Sequence, residues 1–172
     1  MAKRYPGSVI DYNVYGEDGL KLLGVSTVEL PSMEAMTQEI SGAGILGTFD
    51  DPIPGMIGSM VATLNFHWID RSAMYPVGYR VMFDLRAALG AVDMSDLTNL
   101  AVAERINIVG KVKTYNPGNR QTGTSPDASM GIEVGRIQQW IGGLELMLFD
   151  RMAYIYRVNG VDALTGVRAA IT

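Results

Sequence analysis

Cysteine is absent from the 172-residue chain, and histidine occurs only once, at His67. The first absence excludes disulfide bonds, thiolate metal sites and a cysteine nucleophile. A single histidine without cysteine also argues against a zinc site, because zinc takes most of its protein ligands from these two residue types. The reactive chemistry open to this chain is therefore narrow.

Basic residues are missing from a long part of the sequence, since no lysine or arginine occurs between Lys21 and Arg71. The same span holds the six acids Glu29, Glu34, Glu39, Asp50, Asp51 and Asp70. The whole chain has a formal net charge of -4 and a sequence pI near 4.9. This balance argues against sequence-specific DNA binding through a basic face, but it is compatible with nucleic acid passing the protein without being held.

Long apolar runs are also lacking, and none approaches the roughly 20 residues that span a membrane. The first 19 residues contain proline, glycine and polar groups after two basic residues, so they lack the apolar core of a signal peptide. Nevertheless 48% of the residues are hydrophobic and only 19% are charged, against a typical charged share of about 25%. We interpret this excess as surface buried in a homo-oligomer, made in the cytoplasm and not inserted in a membrane.

The stretch from Pro31 to Gly58 has the weakest strand-pairing signals in the chain. It combines glycines at positions 42, 44 and 47 with two prolines, Pro52 and Pro54. A long excursion inside a compact domain is usually functional or interactive. We predict that residues 31–58 form an extended loop that contacts a partner surface. The predicted contact residues are the apolar ones: Met33, Met36, Ile45, Leu46, Phe49, Ile53, Met56 and Ile57.

Alternation of apolar and polar residues predicts strands over most of the remaining sequence. The predicted strands cover residues 20–30, 60–69, 77–86, 105–113, 130–141 and 144–158, with a bend near Asp150 in the last. Turns are predicted at residues 70–76, at Asn116–Gly118 and at Gly142–Gly143. One apolar face and one polar face on each strand are typical of an antiparallel sheet with one solvated side.

Helical signals are few. Residues 93–100 predict a short helix, and a terminal helix follows residue 164 with Arg168 near its C-terminal end, where a cation suits the helix dipole. Residues 1–19 are interpreted as an N-terminal arm that ends at a glycine turn. We predict a single domain over residues 1–172, mainly β, with six or seven strands in an antiparallel β-barrel or sandwich and one or two short helices.

Several residues suggest chemistry that their context does not support. Gly42, Gly44 and Gly47 match G-x-G-x-x-G, but no helix can follow through Pro52 and Pro54, so dinucleotide binding is not predicted. His67 lacks a signalled partner for general-base work. The adjacent acids at 50 and 51 point apart in an extended chain, and Arg105, Lys111 and Lys113 are interpreted as a solvated face or as ion-pair partners. We predict no catalytic residue and no cofactor.

A family resemblance is carried by Leu30–Phe66, with its Ser41–Ile45 turn, by Asp150–Leu164 and by the Tyr115–Gly118 turn. In order and spacing these stretches resemble the major tail tube proteins of contractile-tailed phages and of phage-tail-like bacteriocins, over nearly the whole chain. The resemblance implies a structural, non-enzymatic subunit without cofactor. It implies six-membered rings that stack into a hollow tube, which a contractile sheath drives through the target envelope.

The same resemblance implies the partners and the place of the protein. The subunit would bind copies of itself, the sheath protein, the baseplate or tube initiator, the tail terminator and a tape measure protein in the lumen. DNA would pass through the lumen of a phage tube without specific binding, and we expect an acidic lumen because negative walls repel phosphates. The protein would belong to a virion tail or to a bacteriocin particle.

Two alternatives stay open at this point. One is an Hcp-like ring protein of a type VI secretion system, which uses the same tube principle. The other is a small-ligand-binding β-barrel, which predicts a closed pocket lined by the polar pair Asn65 and His67. In the tube interpretation, residues 31–58 are the contact between stacked rings.

Overall fold

The structure, a computed structural model, describes residues 4–22 and 24–171, with no side chain described for Arg4. The first three residues of the predicted arm and Leu23 of the first predicted strand lie outside this description. The described residues form eleven strands, a 3-10 helix at Arg71–Ala73 and the α-helix α1 at Thr165–Ile171. The strands are β1 (Arg4–Tyr15), β2 (Val25–Glu29), β3 (Ala35–Ile40), β4 (Phe49–Ile57), β5 (Val61–Phe66), β6 (Arg80–Asp93), β7 (Asn99–Asn116), β8 (Ala128–Ile141), β9 (Leu144–Asp150), β10 (Ile155–Val158) and β11 (Val161–Asp162).

Nine of these strands form one antiparallel sheet in the order β1-β6-β7-β8-β9-β10-β11, and β5 and β2 branch from β8. β8 makes the branch possible because residues 128–133 pair with β5, whereas residues 136–141 pair with β9. The path ends at β1 and at β11, so the described strands do not close into a barrel. The predicted mainly β, antiparallel class is confirmed, and its barrel form is wrong.

The core is one cluster of buried residues from the central strands. Alternate residues of β5 and β6 enter one buried cluster together with residues of β7 and β8. Its largest fully buried side chains are Met60, Phe66, Val81, Ile106, Val112, Met130, Ile132 and Val134. Period-two burial along β5 and β8 follows from the pleat, which turns successive side chains to opposite faces.

The predicted helix over residues 93–100 is wrong, because residue 93 ends β6, residues 94–98 form the turn, and residues 99–100 begin β7. The Asp93 carboxylate accepts hydrogen bonds from the backbone N–H of Ser95 (2.9 Å) and from its hydroxyl. Asp96 binds Thr98 in the same way, at 3.1 and 2.6 Å. Such local side-chain bonds compete with the helix, and Leu97 adopts a φ of +58°.

The predicted single strand over residues 144–158 is two strands, β9 and β10, which pair antiparallel with each other. The chain reverses through residues 151–154, where the Asp150 carboxylate accepts hydrogen bonds from the N–H groups of Met152 and Ala153, each at 3.0 Å. Tyr154 takes a φ of +52°. No glycine occurs in this turn, so the sequence predicts only a bend here and carries no clear signal for a full reversal of the chain.

Other expectations from the sequence are met. The turn at Gly142–Gly143 joins β8 to β9 with positive φ at both glycines, as tight hairpin turns require. The terminal helix is present with Arg168 in its last turn. The N-terminal arm is largely the strand β1, which pairs with β6 from Arg4 to Tyr15.

Candidate interaction surface

Residues 35–57 form a two-stranded hairpin, called here the hairpin arm, rather than the predicted extended loop. β3 and β4 pair only with each other among the described strands, from Ile40 opposite Phe49 back to Ala35 opposite Ile57. The register shifts between Ala35 and Thr37, which leaves a bulge that takes up Pro54. Proline is tolerated there because an edge strand can face its missing donor away from the ladder.

The structure places the eight predicted contact residues in two groups. Met36, Ile45, Leu46, Phe49 and Met56 are exposed, and Leu46 at the tip is fully so. Met33, Ile53 and Ile57 are half-buried, and Met33 and Ile57 pack against the core. The arm therefore presents five large apolar side chains to its surroundings, while the others belong to its base.

The base of the arm is fixed to the body by backbone and side-chain hydrogen bonds. The N–H of Gly58 donates to the carbonyl of Glu34 at 2.9 Å, which closes the base. The Arg151 guanidinium donates to the Ile57 carbonyl at 3.0 Å and also to the carbonyl of Gly58. The β9–β10 turn, which carries Arg151, thus holds the outgoing strand of the arm.

A second anchor is Leu164, a buried residue just before α1. A Cβ added to Gly55 would overlap the Leu164 side chain, and Gly55 has a φ of +75°. The Asp162 carboxylate holds this segment, because it accepts from the N–H of Leu164 at 3.0 Å and from Arg168 at 2.6 Å. These two bonds lower the pKa of Asp162. Close packing of Leu164 onto the arm requires glycine at position 55.

Only one sign of charge occurs on the arm. Glu39 stands directly opposite Asp50, and Asp51 follows, while no lysine or arginine lies between Ala35 and Ile57. Like charges directly opposite each other on a sheet are destabilising. An apolar tip with carboxylates behind it is therefore suited to a surface that supplies apolar contact and positive charge.

The chain that leaves the arm is tied to β8 by Glu133. Its carboxylate accepts hydrogen bonds from the Ser59 hydroxyl at 2.9 and 2.7 Å, from the Met60 N–H at 3.2 Å and from Lys113 at 2.8 Å. The Lys113 hydrogen bond, followed by the Ser59 bond, lowers the pKa of Glu133 below its ordinary value despite desolvation. This carboxylate therefore fixes the start of β5, directly after the arm.

Glu133→Gln is expected to lower the free energy of unfolding by about 1 kcal/mol at neutral pH, a modest loss because the carboxylate is partly exposed. The pKa of Glu133 is lower in the folded than in the unfolded chain. Its stabilisation is thus complete above the unfolded pKa, near 4.5, and is lost as the pH falls through the folded pKa. Urea unfolding at pH 7 and pH 4 should show a smaller loss of stability on acidification for the variant than for the parent. An unchanged pH dependence in Glu133→Gln would contradict the assignment.

A charged cluster occupies the sheet face opposite the core. Asp84 is only 5% exposed and accepts from Arg86 at 2.8 Å and Arg105 at 2.7 Å. Arg86 lies over the Tyr15 ring and Arg105 over the Trp140 ring, at 4.6 and 5.4 Å from the centroids. The hydrogen bond to Asp84 raises the pKa of Arg105. Sequence patterning missed this cluster, because alternation alone assigned Asp84 to the solvated face.

The residues that suggested chemistry are not brought together into a reactive site. Gly42, Gly44 and Gly47 lie at the tip of the arm, where no helix follows. His67 is exposed and its carbonyl accepts from the Ser125 hydroxyl at 2.7 Å, while the Asn65 amide donates to Thr27 and Glu29. Within residues 4–22 and 24–171 no cluster of three metal-ligating side chains occurs.

An open sheet edge gives a second surface for association. β1 pairs with β6 on one side, and apart from a bridge between Tyr15 and Lys21 its other side pairs with no described residue. Tyr5, Val9 and Ile10 are exposed along this strand. Unpaired edges are templates for pairing with another chain. Together with the arm, this edge gives the chain two surfaces suited to association with another chain.

Comparison with known protein families identifies the family of this chain. The family model described as phage tail tube protein FII matches residues 6–171. The chain therefore belongs to the phage tail tube family, as the sequence resemblance predicted. Membership supports a structural role in a tail tube, self-assembly with other tail components and a place in the virion tail.

Two further findings accompany this assignment. None of the curated proteins matches the chain significantly. Over the part of the chain that the structure describes, no helix has the length and apolarity to cross a membrane.

Proposed function

We propose that this chain is the inner tube subunit of a contractile injection machine, either a phage tail or a phage-tail-like bacteriocin. Six copies form a ring, and rings stack into a hollow tube that a sheath drives through the target envelope. The observation that supports this most directly is the hairpin arm, which exposes five apolar side chains and three carboxylates on a chain of the tail tube family. Surfaces of this kind are stable in water only when a partner covers them.

The open edge of β1 suits contact within a ring, and the arm suits contact between rings. Strand pairing between subunits would satisfy the unpaired backbone groups of the edge, whereas an arm that contacts a different surface on the next copy produces open stacking. The sheath, the baseplate or tube initiator, the tail terminator and a tape measure protein in the lumen complete the proposed machine. Its subunit carries no cofactor and catalyses no reaction.

Lumen charge gives the proposal a structural consequence. The polar face of β6 and β7 carries Arg80, Arg86, Arg105 and Lys111 around Asp84. An acidic lumen, expected if the walls repel DNA phosphates, therefore requires that this face points away from the channel. A density map of the assembled tube decides the point, and a basic inner wall would contradict the expectation.

The proposal is tested by negative-stain electron microscopy of the concentrated protein together with its sedimentation profile. We expect rings or hollow tubes of uniform width. If the protein alone stays small, tubes should grow once baseplate and sheath proteins are co-expressed. A persistent monomer with a small ligand in a closed pocket would contradict the proposal.

Ile45→Asp together with Leu46→Asp is expected to shorten the tubes, because two charges replace apolar contacts at the arm tip. Burial of each side chain contributes about 1.5–3 kcal/mol, so the concentration needed for growth should rise at least about tenfold. Tube length by electron microscopy measures the effect. The matched control is Met94→Asp with Leu97→Asp in the exposed β6–β7 turn. Unchanged tube length in the arm variant would contradict a stacking role for the arm.

A further inference from the structure

A cleft lies just beyond the C-terminal end of β5. Its volume is about 470 Å³, and its walls include Trp68, Arg71, Met74, Tyr115, Pro117 and Arg120. Trp68 is 62% and Met74 is 45% exposed, which is unusual for large apolar side chains grouped in one concavity. Sequence patterns do not predict this cleft, because its walls come from two distant segments, residues 68–74 and 115–128.

The cleft carries positive charge that the rest of the chain does not neutralise. Among the described residues, neither Arg71 nor Arg120 forms an ion pair with an acid. Arg120 donates instead to the carbonyl of Pro117 at 2.7 Å. The one acid in the wall, Asp70, accepts from the Ser72 hydroxyl at 2.8 Å, which lowers its pKa. The cleft thus offers two cations beside an aromatic and a thioether surface.

The hairpin arm has the complementary composition. Its tip offers Ile45, Leu46 and Phe49, and the carboxylates of Glu39 and Asp50 face each other just behind the tip. A cation brought between these carboxylates would relieve their repulsion. Complementary charge of this kind fixes register and suppresses wrong partners.

The arm and the cleft sit at opposite ends of one strand. The arm leads into the Val61 end of β5, and the cleft begins after its Phe66 end, a separation of about 20 Å for six residues. No arm residue lines the cleft of its own chain. A donor at one end and an acceptor at the other give a head-to-tail contact, which repeats without closing.

We propose that the arm tip of one copy binds the Trp68–Arg120 cleft of the next copy along the stack. Leu46 and Phe49 cover Trp68 and Met74, and the arm carboxylates pair with Arg71 and Arg120. This inference rests on the proposed tube and identifies the surface that receives the arm. The occupant of the cleft is therefore a second copy of this chain rather than a small ligand.

Disulfide trapping tests the contact, because the chain has no cysteine of its own. Leu46→Cys is mixed with Met74→Cys at high protein concentration under mild oxidation, and linked dimers are quantified on non-reducing gels. The control mixture pairs Leu46→Cys with Leu144→Cys, because Leu144 is also highly exposed but lies at the start of β9. We expect at least about tenfold more linked dimer from the cleft pair, and equal yields would overturn the proposal.

A charge variant and electron microscopy complete the test. Adding Arg71→Glu and Arg120→Glu to the Met74→Cys chain should reduce its yield to that of the control, whereas an unchanged yield would overturn the charge pairing. Selective linkage without any tubes would support the arm–cleft contact but contradict the proposed tube function. Tubes without selective linkage would support the proposed tube function but contradict the arm–cleft contact.

Discussion

Replacing residues 36–56 with Asn-Gly is expected to abolish tube formation while leaving the subunit folded. Ala35 and Ile57 are paired neighbours at the base of the arm, so a two-residue type I′ turn can join them. The hydrogen bond between Gly58 and Glu34 and the bond from Arg151 to Ile57 both survive this change. What the chain loses is the exposed part of the hairpin.

The expected stability cost is small because the arm contributes little to the core. Leu164 loses its contact with Gly55, and exposing part of this side chain costs about 1–2 kcal/mol. The melting temperature should therefore fall by no more than about 8 °C in a domain of this size. Assembly should change far more, since the proposed contact between rings would lose its donor.

Circular dichroism melting and sedimentation separate these two effects. The control replaces residues 94–97 of the β6–β7 turn with Asn-Gly, a similar edit at another exposed apolar hairpin. It should assemble like the parent. Tubes of normal length from the armless chain would show that stacking depends on another surface.

The strands were predictable where one face of the strand is buried and the other is exposed to solvent. β5 alternates strictly, and the first half of β8 nearly so, because their odd and even residues meet different surroundings. The turn at Gly142–Gly143 was predictable from residues that favour tight reversal, whereas the predicted turn at Asn116–Gly118 is the start of a longer loop, residues 117–127. In these segments local propensity and tertiary burial agree, so single-sequence patterns are sufficient.

The hairpin arm was not predictable as a hairpin. Both of its faces are exposed along most of β3, so no burial pattern separates inside from outside. Pro52 and Pro54 argue against a central strand, and they do so correctly, because β4 is an edge strand with a bulge. The apolar residues of this segment stand out in the sequence through composition rather than through periodicity, and their role in contact stays a prediction.

The cleft could not be derived from sequence at all. Trp68 was assigned to the β5 alternation, but the strand ends at Phe66 and the indole turns outward. Arg71 and Arg120 are 49 positions apart in the numbering of the chain. Their approach depends on the pairing of β5 with β8, a long-range contact that leaves no local signal.

Gly110→Val is expected to cause a large loss of stability. Gly110 is buried in β7 next to a register shift against β8. A Cβ here would overlap the Glu133 carbonyl and lie 2.8 Å from Cγ2 of Ile132. The obstacle is mainly backbone, which cannot move without breaking the β7–β8 pairing, so overpacking should cost about 3 kcal/mol or more.

The consequence should reach the arm through Glu133, whose side chain holds Ser59 and Met60 at the exit of the hairpin. We expect a melting temperature lower by about 6–12 °C and a further loss of assembly. Gly135→Ala is the matched control, since its Cβ would meet only the Val109 carbonyl at an ordinary 3.7 Å across the same register shift. Urea unfolding followed by tryptophan fluorescence compares the two. Equal stability of both variants would mean that β7 and β8 can accommodate a larger side chain at position 110. The start of β5 would then not depend on close packing between these two strands.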